Sequence, residues 1–122
     1  YNYAISDLIN DSNNMNVIKL NTNIDVYRSY MHSDDMCNWL ITILKNSSTK
    51  CSIYNVGSDK VINLKDLTKK IATITNKKIA LKTNKSKKFD YYVPSITKAH
   101  KKLNLKISIN LNDALNSIIK VK

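Results

Sequence analysis

The chain of 122 residues has no glutamate, one glycine, one proline, one tryptophan and one arginine. These shortages exclude several classes of function. A phosphate-cradling loop of the G-x-G-x-x-G kind needs glycines for its tight turn and for close approach of the backbone. With Gly57 alone the chain cannot make one. The two cysteines, Cys37 and Cys51, stand in no C-x-x-C arrangement, so the usual zinc and redox spacings are absent. Both are expected to be buried free thiols in a reducing compartment. The two histidines, His32 and His100, lie far apart with no ligand cluster around them, which argues against a metal site. No apolar run approaches the roughly 18 residues of a membrane span. The opening residues do not resemble a signal peptide. A cytoplasmic protein with no membrane partner is expected. The chain opens inside what reads as a helix, and is expected to be a piece of a longer protein.

Lysine is abundant instead: nineteen of the twenty basic residues, with a formal net charge of +11. Such a charge raises the possibility of nucleic acid as a partner. Two observations weigh against it. Asn, Lys, Ile and Tyr crowd the sequence and share A/T-rich codons, so lysine content need not reflect selection for phosphate. The one denser stretch, residues 77–88, holds no aromatic residue and so lacks a base-stacking platform. A solvated loop is the simpler reading of that stretch. Three N-x-S sequons, at Asn10, Asn46 and Asn84, are expected by chance in so Asn-rich a chain.

The apolar pattern alternates between two periods. Residues 3–10 carry Ala4, Ile5, Leu8 and Ile9 at helical spacing. Residues 16–20 and 26–30 read as strands. Ser33 or Asp34 is placed to cap a helix over 35–45, with Met36, Trp39, Leu40, Ile43 and Leu44 on one face. Residues 51–55 read as a strand closed by a turn at Gly57. Asn63 caps a second helix, 64–75, whose Leu64, Leu67, Ile71 and Ile74 recur at i, i+3, i+7 and i+10. Strands follow at 79–81 and 91–93. Pro94 breaks the second, and Ser95 is placed to cap a short helix to about residue 102. Asn104 suits a left-handed helix stop. Asn110, with Asp113 three residues on, resembles a capping box before a last helix over 111–120. Alternation without hairpin turn signals predicts one domain over residues 1–122, an α/β or α+β unit with parallel or mixed strand pairing.

Within this frame the only arginine, Arg28, opens the run YRSYMHSDD at 27–35. A guanidinium offers five donors in a fixed fork that grips a diphosphate or carboxylate in a way an ammonium cannot. The plainer alternative is a salt bridge from Arg28 to Asp34 or Asp35 in the same turn.

The order of these segments resembles the C-terminal part of the extended short-chain dehydrogenase/reductases. These are the NAD-dependent epimerase/dehydratases acting on nucleotide sugars, and the likeness is greatest to the dTDP-glucose 4,6-dehydratase-like branch. AISDLIND resembles the helix before the substrate loop, and NVIKL the strand after it. YRSYMHSDDMCNWLITIL resembles the arginine–aromatic–acidic run with its helix, and YNVGSDKVINLKDLTKKIA the strand–turn–helix that follows. YVPSITKAHKKLNLK and NLNDALNSIIK resemble the closing helices.

The resemblance implies a substrate-binding region without most of the Rossmann sheet, catalytically incomplete by itself. In the intact enzyme NAD(P) takes a hydride from the sugar, a tyrosine acts as base, and two subunits form a homodimer. The family's Tyr-x-x-x-Lys pair occurs nowhere in the chain, so no catalytic residue and no cofactor-binding residue are assigned here. Arg28 matches the arginine that holds the nucleotide diphosphate. His32 matches a position often aromatic, and is a weaker substrate contact. Lys88, or Lys85 or Lys87, stands near a second basic position. Asp34 and Asp35 match acidic positions that stabilise the helix terminus and orient Arg28. Tyr54, Asn55 and Gly57 match architectural positions. Where the family has a glycine-containing turn the chain has Thr22-Asn23-Ile24-Asp25, which would bring Asp25 near a ligand phosphate. A small basic nucleic-acid-binding module and a non-catalytic interaction remnant remain the alternatives.

Overall fold

Asn63 starts the helix around which the main core forms. Its side-chain oxygen accepts from the N–H of Lys65 at 2.8 Å, satisfying one of the donors that a helix start leaves free. The helix, α3 in chain order, then runs Leu64–Thr75 and stops where Asn76 turns left-handed at φ 51°. Leu64, Leu67 and Ile71 are buried along one face, as their spacing predicts, and Ile74 packs beside them. Burial of each such side chain contributes about 1.5–3 kcal/mol.

The protein is described from a computed structural model, which covers residues 4–81 and 86–119. The remaining elements, in chain order, are α1 (Ala4–Asn14), β1 (Val17–Leu20), β2 (Asp25–Ser29), α2 (Ser33–Lys45), β3 (Val61–Asn63), β4 (Lys78–Leu81), β5 (Phe89–Tyr92), α4 (Thr97–Leu103) and α5 (Leu111–Ile118). β1 pairs with β4 in parallel. β2 is the centre of a three-stranded sheet, antiparallel to β3 and parallel to β5. The pairing is mixed, as the missing hairpin signals predict. No helix among the described residues is long and apolar enough to cross a membrane.

Two apolar clusters result. The larger joins α3 to Leu8 of α1, Ile18 and Leu20 of β1, and Leu115 of α5, with Val26, Tyr30 and Ile62 packed against it. The smaller surrounds Trp39, Ala99 and Leu105. The Trp39 indole N–H donates to the carbonyl of Lys106 at 3.0 Å, so the buried ring leaves no polar atom unpaired.

Several expectations are corrected. Residues 51–55 form no strand, and the pairing falls later, at Val61–Asn63. Cys51 instead takes a left-handed conformation, φ 49°, closing a turn with its N–H on the carbonyl of Ser48. Both cysteines are exposed, not buried. The cap of α2 is His32, not Ser33 or Asp34: its Nδ1 accepts from the N–H of Asp34 at 3.2 Å. Ser95 does not cap α4, which begins after Ile96 with no side-chain cap. Of the apolar residues on the expected face of α2 only Trp39 and Ile43 turn inward, while Met36, Leu40 and Leu44 stay exposed. The apolar arc of this helix is wider than the cluster it meets. Gly57 is not needed for a positive φ. A Cβ there would lie 2.9 Å from Pro94 Cγ, so close approach is its reason. Asn104 is left-handed at φ 52°, and Asn110 caps α5 through the N–H of Asp113 at 3.0 Å, both as expected.

Candidate functional site

Arg28 sits on the central strand, β2, where alternation puts it on the same face as Val26. Its guanidinium is folded back onto β5. One nitrogen meets Asp90 Oδ2 at 2.5 Å. The other donates to the carbonyl of Tyr27 at 2.8 Å and to that of Asp90 at 3.4 Å. The pair is partly exposed, 31% for Arg28 and 49% for Asp90, so its net contribution to stability is about 0–1 kcal/mol. Neither Asp34 nor Asp35 takes this role, in contrast to the expectation. The partner, Asp90, escapes a sequence reading because only the β2–β5 register brings it across; it lies opposite Val26.

Asp35 does something else. It is 3% exposed and receives the N–H groups of Ser108 and Ile109 at 3.0 and 2.9 Å, and the Ser108 hydroxyl. Burial by itself would raise its pKa. The Ser108 hydroxyl, the two N–H donors and nearby His32 outweigh that and hold the carboxyl below its ordinary range. Asp35 therefore clamps the approach to α5 onto the start of α2. That pairing spans more than seventy positions in the chain and has no local signature.

Two grooves flank this clamp. The larger, about 790 Å³, is lined by Tyr27, Tyr30, Lys60, Lys70, Ser108 and Asn110 among others. The smaller, about 330 Å³, is mostly apolar and runs past Ile5, Ile9, Met31, His32 and Leu115. Tyr30 borders both. Burial raises its pKa, partly offset by the Arg28 charge. Arg28 itself lines neither of these two grooves. His32 does reach the smaller one, while its Nδ1 is engaged as the α2 cap. Lys87 and Lys88 are exposed beside β5, and Lys85 lies outside the described residues. Asp25 is held by Lys65 of α3 at 2.7 Å. Tyr54 lies under Lys98, whose Nζ is 4.9 Å from the ring centroid. Asn55 donates to the carbonyl of Ser95 at 3.0 Å. Both tie the segment before β3 to the start of α4, an architectural role.

The sequence holds no glycine-rich dinucleotide loop. Gly57, the lone glycine, packs against Pro94. It does not open a helix behind a strand, where a pyrophosphate would sit.

No protein-family model and no curated protein matches the chain. Solved structures do. The UDP-N-acetylglucosamine 4-epimerase of Bacillus cereus superposes with a TM-score of 0.76 at 22% identity, over 96% of this chain and 38% of that one. The UDP-glucose 4-epimerase of Thermotoga maritima, solved with UDP-glucose, gives 0.78 at 17% identity, over 96% and 38%. The dTDP-glucose 4,6-dehydratase of Bacillus anthracis, solved with NAD, gives 0.74 at 14%, over 96% and 37%. The fold is that of a part of the extended short-chain dehydrogenase/reductases, the architecture of NAD-dependent epimerases and dehydratases. The chain spans a little over a third of the length of these structures.

Proposed function

We propose that these residues form the nucleotide-diphosphate-binding portion, from the C-terminal side, of an NAD(P)-dependent nucleotide-sugar epimerase or dehydratase. The observation that carries the reading is Arg28. It is the only arginine, it stands on the central strand of a fold shared with UDP- and dTDP-sugar enzymes, and one arm of its fork already holds a carboxylate oxygen. A diphosphate presents paired oxygens that suit both arms, with more charge. The region holds the ligand and shapes its surroundings, and the reacting groups belong to the rest of the enzyme. In this reading NAD(P) belongs there too, since a sequence with a single glycine has no glycine-rich dinucleotide loop. The reading places the intact enzyme in the cytoplasm as a homodimer.

Calorimetry with UDP-glucose and dTDP-glucose tests it. Arg28→Lys should weaken binding almost as much as Arg28→Ala, because charge survives in lysine but the fork does not. The expected loss is about 1.5–3 kcal/mol, roughly 10- to 150-fold. Unchanged affinity in Arg28→Ala would remove the assignment.

A further inference from the structure

Among the described residues one face of the three-stranded sheet is left largely open, and it is aromatic. Side chains alternate across a strand. Tyr27 therefore shares a face with its register partner Tyr91, and Phe89, opposite Asp25, lies on that face too. The other face carries Val26 and Ile62 into the α3 core. The Tyr27 ring centroid is 6.5 Å from Phe89 and 6.0 Å from Tyr91. Yet Phe89 is 67% and Tyr91 56% exposed. Aromatic surface left open in this way is normally an interaction site.

Charge says what kind. Tyr27 also borders the larger groove, whose walls hold Lys60 and Lys70. The exposed Lys87 and Lys88 lead straight into Phe89. Three carboxylates nearby have cationic partners, Asp25 with Lys65, Asp66 with Lys69 and Asp90 with Arg28, while the exposed Asp59 stands beside Lys60. What remains around the rings is mostly positive, on a chain of net charge +11. A second copy with the same charge is disfavoured, whereas a polyanion carrying flat π-faces is complementary. We propose that this sheet face binds single-stranded nucleic acid, its rings stacking on bases while the groove lysines follow the phosphates. Residues 77–88 lack an aromatic of their own. The strand pairing supplies three, from segments more than sixty positions apart. The rings lie on the face opposite Arg28, and the substitutions below use Lys60 and Lys70, which the diphosphate reading does not.

Fluorescence anisotropy with labelled oligothymidylate of about 12 nucleotides, and with a hairpin duplex, tests the proposal. The single strand should bind more tightly than the duplex. Phe89→Leu with Tyr91→Leu keeps the apolar bulk but removes the π-faces. It should cost about tenfold or more on the single strand and leave duplex binding unchanged. Lys60→Gln with Lys70→Gln, which leaves the rings in place, should lower the single-strand salt slope by about 1.4. The proposal is overturned by equal affinity for the two forms, by an unaffected leucine variant, or by thymidine monophosphate competing at the oligomer's own concentration. It is also overturned if the leucine variant merely abolishes self-association of a chain that binds no oligomer.

Discussion

Arg28 and Asp35 show two fates for a charge in this chain. Arg28 is partly exposed and its anion, Asp90, is replaceable. If a diphosphate takes the same fork, Asp90 competes with it. Asp90→Asn should therefore tighten nucleotide-sugar binding, by up to about fivefold given the modest worth of an exposed pair. Calorimetry that shows weaker binding instead would make Asp90 a ligand contact and not a competitor. Asp35 is buried and fully engaged, so it acts on stability. Its folded pKa lies below its ordinary value of 3.8. Its contribution is thus complete above that value and is lost as pH falls through the depressed folded value. Asp35→Asn should cost about 2–3 kcal/mol at neutral pH, where charge-assisted bonds are lost. The gap between wild type and variant should narrow as pH falls below 3.8. Urea unfolding at several pH values measures both, and a gap independent of pH would refute the clamp.

At the scale of elements, local signals were legible and partners were not. Asn63, Asn104 and Asn110 announce helix ends through side-chain chemistry that needs only near neighbours, and the structure places all three as read. Ser95 carries the same kind of signal, yet α4 begins one residue later than a Ser95 cap would set it, at Thr97. Its hydroxyl is 3.3 Å from the Thr97 hydroxyl instead of a helix N–H. Asn63→Ala should therefore cost about 1 kcal/mol, whereas Ser95→Ala should stay within about 0.5 kcal/mol, as read by thermal or urea melts. Equal losses would mean that the cap at Asn63 is not what holds α3. The strand misplaced at 51–55 has the converse cause. Its residues are apolar enough for a strand, but pairing went to Val61–Asn63, directly opposite Tyr27 and Ser29. Register is a property of two segments, so no window of one segment reveals it. The same reason hid Asp90 and the Asp35 clamp while leaving Arg28 itself conspicuous.

For the whole molecule, exposed apolar surface and charge oppose each other. Met36, Leu40, Ile41 and Leu44 of α2 are all 43–72% exposed, an apolar stripe that water disfavours. Each copy also carries a formal charge of +11, which keeps copies apart at low ionic strength. Salt shortens the reach of that repulsion, from about 30 Å at 0.01 M to about 8 Å at 0.15 M, but leaves apolar attraction intact. Self-association should therefore rise with sodium chloride, and the thermal transition should become concentration-dependent. Leu40→Glu with Leu44→Glu should abolish both effects, while Phe89→Leu with Tyr91→Leu should not. Sedimentation at 0.02 and 0.3 M salt, values chosen at roughly these two regimes, decides the matter. Association that weakens with salt would mean that copies meet through charged groups. A sharp, concentration-independent transition above about 65 °C, the upper end for ordinary domains, would mean that the α2 stripe costs the fold nothing.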